Sequence, residues 1–390
     1  MDLQGIFAKI AADEIAQWTR TLVRFDTTNP PGNERQAVEF IADILKADGF
    51  ECQFIEHEPQ RATLCARLKG SGERGALVLN GHVDVVPVGA GEWQHPPFEG
   101  VIEAGKVWGR GSADMKGGVA AMIAAAKAIA QANLPLKGDL ILAATAGEEV
   151  NMMGARSLAT LPDAASWQAV IISEPTSNKL GLAERGVFWP ELTTYGKTAH
   201  GSTPELGINA VMMMVKVLNE FEKLEIPFQP HAVLGNFTRS VNTIQGGVKV
   251  NVVPDRCSVM IDMRTLPGQD HGELLRRLET FLADLESQIP GLKASIRLTY
   301  DLPPAETPQS AAAVQQFLAA AKSHCGMEIP IIKVPFATEA AIFVPTLNVP
   351  TLILGPGDAA LAHQPNEFVE IAEMEKAAKL YAAATVEMLL

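Results

Sequence analysis

The apolar run Ala76-Leu77-Val78-Leu79-Asn80 has no alternating polar face, which marks a strand covered on both sides rather than one half in water. Asp139-Leu140-Ile141-Leu142-Ala143-Ala144-Thr145 and the segment 168–173 have the same character, and so does Pro350–Leu354 near the other end. Helical patterns at 11–25 and 33–48 precede strand-like runs at 51–56 and 62–68, and further helical patterns at Met115–Ala132 and 152–159 lie between the buried strands. This βα rhythm predicts a mixed, mostly parallel sheet flanked by helices.

The texture changes near Thr176. From there to about residue 290 the pattern reads strand, strand, helix (206–224), strands at Phe237–Ile244, Val248–Val253 and Arg256–Arg264, and a helix at 271–288. With one short run counted as a turn, four strands and two helices make a small α+β layer. The first texture resumes from Ala294, with helices at 309–323 and 369–388. The expected organisation is a first domain of residues 1–176 and 291–390 interrupted by an inserted domain of residues 177–290.

Composition narrows the function classes. The 390 residues are 47% hydrophobic and 20% charged, as in a globular protein large enough for two domains. No apolar stretch reaches the roughly 18–20 residues of a membrane span. The start, Met1-Asp2-Leu3-Gln4-Gly5, lacks a secretory signal pattern, which gives a cytoplasmic expectation. Cys52, Cys65, Cys257 and Cys325 have no C-x-x-C spacing and read as buried free thiols. A net charge of −13 with no long basic cluster argues against nucleic acid, and part of it suits carboxylates committed to cations.

Chemistry collects at the strand ends. In an extended chain His82 and Asp84 emerge on one face, so Asp84 is placed to accept the second N–H of a metal-binding His82. The same tetrapeptide is equally compatible with a His and an Asp bonded to nearby loops. Trp108 to Gly118 is a Gly-rich loop entering a helix, with Asp114 either a ligand or an N-cap; the phosphate-loop and dinucleotide spacings are absent. Gly147-Glu148-Glu149 follows one strand, Ser173-Glu174-Pro175-Thr176 ends another, and Ala362-His363-Gln364-Pro365-Asn366-Glu367 follows a third. Adjacent carboxylates at such ends are costly unless cations or solvent balance them, and open α/β sheets bind ligands there.

Taken in order and spacing, GHVDVVP, GRGSADMKGG, GEE, SEPT, AHGSTP and AHQPNEF resemble the M20 metallopeptidase family of two-zinc amidohydrolases. The likeness covers nearly the whole chain, and Thr338-Glu339-Ala340, Leu354-Gly355-Pro356-Gly357 and AHQPNEF look most like its acetylornithine deacetylase branch. It implies a two-zinc exopeptidase type of fold with a dimerising insertion. Asp114 would bridge two metals, His82 and Glu174 would complete one, and Glu149 and His363 the other. One imidazole, one private carboxylate and a shared one per cation suit Zn²⁺ or Co²⁺. Glu148 would be the general base, and Asp84, as the carboxylate behind His82, would count with it among the catalytic residues. His200, in Ala199-His200-Gly201, would reach a partner's site in a homodimer. Asn242, Arg264 and Thr338 would contact substrate, Arg264 by clamping a carboxylate or else merely forming a strand-end ion pair. The family's bridging Asp precedes a cis peptide, so Asp114–Met115 should be cis. This chain departs from the family at Gly147, where Asp is usual. His57, His95, His231, His271 and His324 fall in no motif.

The implied reaction is hydrolysis of a small N-acyl amino acid, with N-acetylornithine first and N-succinyl-diaminopimelate, other N-acyl amino acids or a dipeptide bond as alternatives. A non-catalytic dimeric relative would be favoured by a missing ligand or base, and all are present. A two-metal phosphatase would want basic phosphate-clamping motifs, which are lacking.

Overall fold

The computed structural model describes residues 3–390, which divide into two compact units. The first comprises the described residues up to Leu182 with Glu306–Val334 and Thr338–Leu390; the second comprises Ala183–Ala305 with Pro335–Ala337. The sequence reading closes the insertion at residue 290. In the structure Lys293–Leu302 pairs antiparallel with Gly186–Tyr195 in the second unit's sheet, so the boundary moves to residue 305.

Among the described residues the first unit is built on a nine-stranded sheet. Its centre runs Leu140–Thr145, Leu77–His82, Ala169–Pro175, Thr351–Gly355, all parallel. Arg61–Leu68 and Glu51–Glu58 extend one side antiparallel. Leu77, Leu79, Leu140, Leu142, Ile171, Leu352 and Leu354 face one apolar cluster, shared with helices Ala12–Arg24, Arg35–Ala47, Gly117–Gln131, Ala312–Cys325 and Ile371–Leu389. Val78, Ile141, Val170 and Ile353 alternate to the opposite face and are also buried. That double burial is why these strands carry no polar stripe. Gly118 lets the central helix sit hard on the sheet, because a Cβ there would lie 2.1 Å from the Ser173 hydroxyl oxygen.

The second unit has a four-stranded antiparallel sheet in the order Thr238–Gly246, Arg256–Thr265, Gly186–Tyr195, Lys293–Leu302. Cys257, Val259, Ile261 and Met263 point into a core formed with helices Ala210–Phe221 and His271–Gln288. Val248–Val253, expected as a strand, is a loop after Gly246, with Val248 and Val250 fully in solvent. Its apolar residues mimic a strand without a neighbouring strand to pair with. All four cysteines are free, though Cys52 and Cys325 are only half-buried. None of the described helices is long and apolar enough to cross a membrane.

Tyr381 ties the last helix to the sheet. Its buried hydroxyl donates to the Leu354 carbonyl at 2.7 Å and lies 2.6 Å from the Ser173 hydroxyl. Tyr381→Phe removes both contacts from an apolar interior, and should lower stability by about 1–3 kcal/mol, read as a reduced urea midpoint.

Candidate metal centre

Register alone assembles half of the site. Parallel pairing sets His82 beside Thr145 and Asn80 beside Ile172, so Glu174, two residues beyond Ile172, comes level with His82 on the same face. Glu148 and Glu149 leave the end of the Thr145 strand through a turn at Gly147, whose φ of +79° suits glycine. Asp114 sits in the turn Ser112–Lys116, outside helical geometry, and the Asp114–Met115 peptide is cis. It does not cap the following helix. His363 lies in the loop after Thr351–Gly355, at a φ of +62°.

These side chains converge. His82 Nε2 is 3.2 Å from Asp114 Oδ1 and 3.9 Å from Glu174 Oε1. His363 Nε2 is 3.4 Å from Asp114 Oδ2 and 3.3 Å from Glu149 Oε2. The two oxygens of one carboxylate therefore face two different imidazoles. One ligand atom each from His82, Asp114 and Glu149 lies within 4.8 Å of the others, a grouping able to hold a metal ion. Glu148 Oε2 is 4.0 Å from His82 Nε2.

Burial and crowding perturb every acid here. Burial, then the charges of Glu174 and Glu149, push the Glu148 carboxyl well above its ordinary range despite His82. Burial and Asp114 do the same to Glu174. Burial opposes ionisation of Asp114, yet the bonds from His363 and His82 hold it well below the usual range. His363 is raised to about 10 by its bonds to Asp114 and Glu149. A donor set of two imidazoles and several desolvated carboxylates fits borderline divalent cations, whose charge would offset the crowding.

The structure corrects the role read for Asp84. His82 Nδ1 lies 3.0 Å from the Asp84 backbone carbonyl and 3.6 Å from its carboxylate, so the main chain takes the second N–H. The carboxylate instead accepts the backbone N–H groups of Gly147, Glu148 and Glu149 at 3.0–3.2 Å, with the Asn29 amide at 2.8 Å. It anchors the turn that carries Glu148 and Glu149.

Other expected residues divide between the units. Thr338, in the first unit, is fully buried, and its hydroxyl accepts the Ala340 N–H at the start of helix Ala340–Leu347. His200, Asn242 and Arg264 belong to the second unit. His200 Nδ1 accepts the Ser202 N–H at 3.2 Å, which leaves the ring proton on Nε2 in the neutral form. Asn242 is the extra residue of a bulge in Thr238–Gly246 and accepts from Ser240. Arg264 Nε pairs with Asp262 at 2.9 Å, the strand-end ion pair weighed against a substrate clamp.

Two buried carboxylates were not singled out from sequence. Glu339 bonds Asn80 and Thr145 behind His82, and burial raises it to about 7. Glu367 accepts the backbone N–H groups of Gly111, Ala113 and Asp114. Glu367 lies in the AHQPNEF segment, four residues beyond His363, where an acid before a strand gives no pattern of its own.

Asp84→Asn would set an amide donor against the N–H groups it now accepts. Turnover should fall about 10–100-fold through loosening of the Gly147–Glu149 turn, with KM changed little, as steady-state kinetics would read.

The model of Peptidase family M20/M25/M40 matches residues 78–387. A protein of Staphylococcus epidermidis named "Probable succinyl-diaminopimelate desuccinylase" is 30% identical over 380 residues, covering 89% of this chain and 91% of its own. The acetylornithine deacetylase of Pasteurella multocida is 34% identical over 357 residues, covering 88% of this chain and 87% of its own. The fold is shared with an M20 family metallo-carboxypeptidase from Sulfolobus solfataricus, at a TM-score of 0.77 and 19% identity, over 96% of this chain and 99% of that one. With matches along nearly its whole length and a cluster of imidazoles and carboxylates, buried at His82 and open to solvent at His363, at the sheet's carboxyl end, the chain belongs to peptidase family M20/M25/M40 and is a metal-dependent hydrolase.

Proposed function

We propose that the protein is a two-metal amidohydrolase that cleaves the amide of a small N-acyl amino acid, N-acetylornithine first and N-succinyl-diaminopimelate second. The observation that carries the reading is the Asp114 carboxylate, with Oδ1 toward His82 and Oδ2 toward His363. A carboxylate divided in this way is placed to be shared between two cations, His82 and Glu174 serving one and Glu149 and His363 the other. Zn²⁺ suits the set, and Co²⁺ is its nearest substitute. Bound cations would supply Lewis acidity to the acyl carbonyl and acidify a water molecule.

Glu148 makes the best base. It sits in the turn held by Asp84, lies beside the proposed ligands, and is assigned no metal. It would take the proton from the attacking water and return it to the leaving nitrogen. His200, with its Nε2–H unshared by Ser202, is suited to donate to the developing oxyanion, and Arg264 to hold the substrate's carboxylate. The acetyl and succinyl activities named for the two relatives share this chemistry and differ in the acyl group.

Self-association through the second unit is part of the proposal. Its edge strand Thr238–Gly246 exposes Val241 and Ile244. Helix Ala210–Phe221 buries Ala210, Met214 and Val217 yet exposes Met212 and Val215 on its outer side. An open edge and an uncovered apolar helix face favour a second copy of the chain.

Glu148→Gln should keep both metals by elemental analysis while kcat falls by about 10²–10⁴, whereas Glu149→Ala should also lose metal. The wild-type chain, loaded with Zn²⁺ or Co²⁺, should hydrolyse members of a panel of N-acetyl and N-succinyl amino acids and dipeptides. Hydrolysis of none of them overturns the amidohydrolase reading.

Service of His200 to a partner's site is tested by mixing inactive His200→Ala and Glu148→Gln chains. Heterodimers, confirmed by native mass spectrometry, should regain activity well above either parent, because one donor to an oxyanion is worth about 10²–10³ in rate. Heterodimers that stay inactive confine His200 to its own chain or remove it from catalysis.

A further inference from the structure

We infer that Glu367 is a positioning residue for the metal centre: its carboxylate fixes the Asp114 turn and ties that turn to the loop bearing His363. The inference rests on the two-metal reading and adds to it a residue that is neither ligand nor base. Strand Phe368–Glu370 pairs with Lys106–Trp108, Phe368 opposite Trp108, and the Glu367 carbonyl accepts the Gly109 N–H at 2.9 Å. This register delivers the Glu367 side chain under the following turn. There Oε2 accepts from Gly111 N–H at 2.9 Å and from Arg110 Nη1 at 2.7 Å. Oε1 accepts from Ala113 at 2.9 Å and Asp114 at 3.1 Å. Glu367 is fully buried.

Each oxygen thus takes two donors, and the backbone of the bridging ligand itself is one of them. Turning the carboxylate away would strip three backbone N–H groups of the acceptor they now share. Since Glu367 is four residues beyond His363, the same side chain joins two segments 253 residues apart in sequence, Asp114 and Glu367. The bridging carboxylate can face His82 on one oxygen and His363 on the other only if both loops are held in this register.

The test separates positioning from charge balance. Glu367→Gln places an amide group against backbone N–H donors and leaves Arg110 without its counter-charge. Zn²⁺ affinity by competition with a chromophoric chelator should weaken about 10–100-fold, and the visible absorption of the Co²⁺-loaded protein should change. KM should change less than kcat. Because an unpaired buried Arg110 also threatens folding, the double variant Arg110→Met with Glu367→Gln is measured beside it. It should recover melting temperature without recovering Zn²⁺ affinity or the wild-type Co²⁺ spectrum. Recovery of all three, or an unchanged affinity in the single variant, overturns the inference and leaves Glu367 as a partner for Arg110 alone. A wild-type chain that binds no Zn²⁺ instead overturns the two-metal reading and the inference with it.

Discussion

Parallel pairing of three buried strands is the constraint from which the rest of the first unit follows. Because Leu140–Thr145, Leu77–His82 and Ala169–Pro175 share one direction, their carboxyl ends open at one edge of the sheet. A slip by one residue would turn His82 and Glu174 to opposite faces. Close packing of Leu77, Val78 and Leu79 on two covered faces resists that slip, so packing far from the chemistry helps hold His82 and Glu174 on one face.

Convergence has an electrostatic cost, and the main chain meets much of it. Asp84 and Glu367 are buried carboxylates with no metal assigned, and each accepts three backbone N–H groups of one turn, Gly147, Glu148 and Glu149 for Asp84 and Gly111, Ala113 and Asp114 for Glu367. Hydrogen bonding to the charged form favours it even in a poor solvent. Glu367 also has Arg110, whereas the anions of the centre itself have only His82 and His363. The remaining imbalance is the physical reason for a resident cation.

What could be read from sequence follows from how local each signal is. The buried strands were legible because burial on two faces writes itself into consecutive residues. The clustered residues His82, Asp114, Glu149, Glu174 and His363, proposed as ligands, were legible as a series of motifs at strand ends. Asp84 was visible, but its partner was not: alternation gives the direction of a side chain and says nothing of the turn at Gly147 folding back over it. Glu367 was invisible because three of its four side-chain bonds go to backbone groups, which leave no residue-type signature, and the fourth goes to Arg110, far away in sequence. The Val248–Val253 segment misled because exposed valines in a loop have the composition of a strand. The insertion ran past residue 290 because the last strand of its sheet is half-exposed and lacks a strong apolar run.

The interleaving of the two units also sets an order of assembly during synthesis. The second unit is almost wholly one stretch, Ala183–Ala305, and its sheet needs only residues within that stretch. The first unit needs strand Thr351–Gly355 to finish the parallel centre and helix Ile371–Leu389 to cover it. A chain emerging from its amino end can therefore complete the inserted unit while the larger one still waits for its last eighty or so residues, about four to sixteen seconds at ordinary elongation rates. Throughout that interval the apolar face that Tyr381 covers lacks its cover, and His363 has yet to be made.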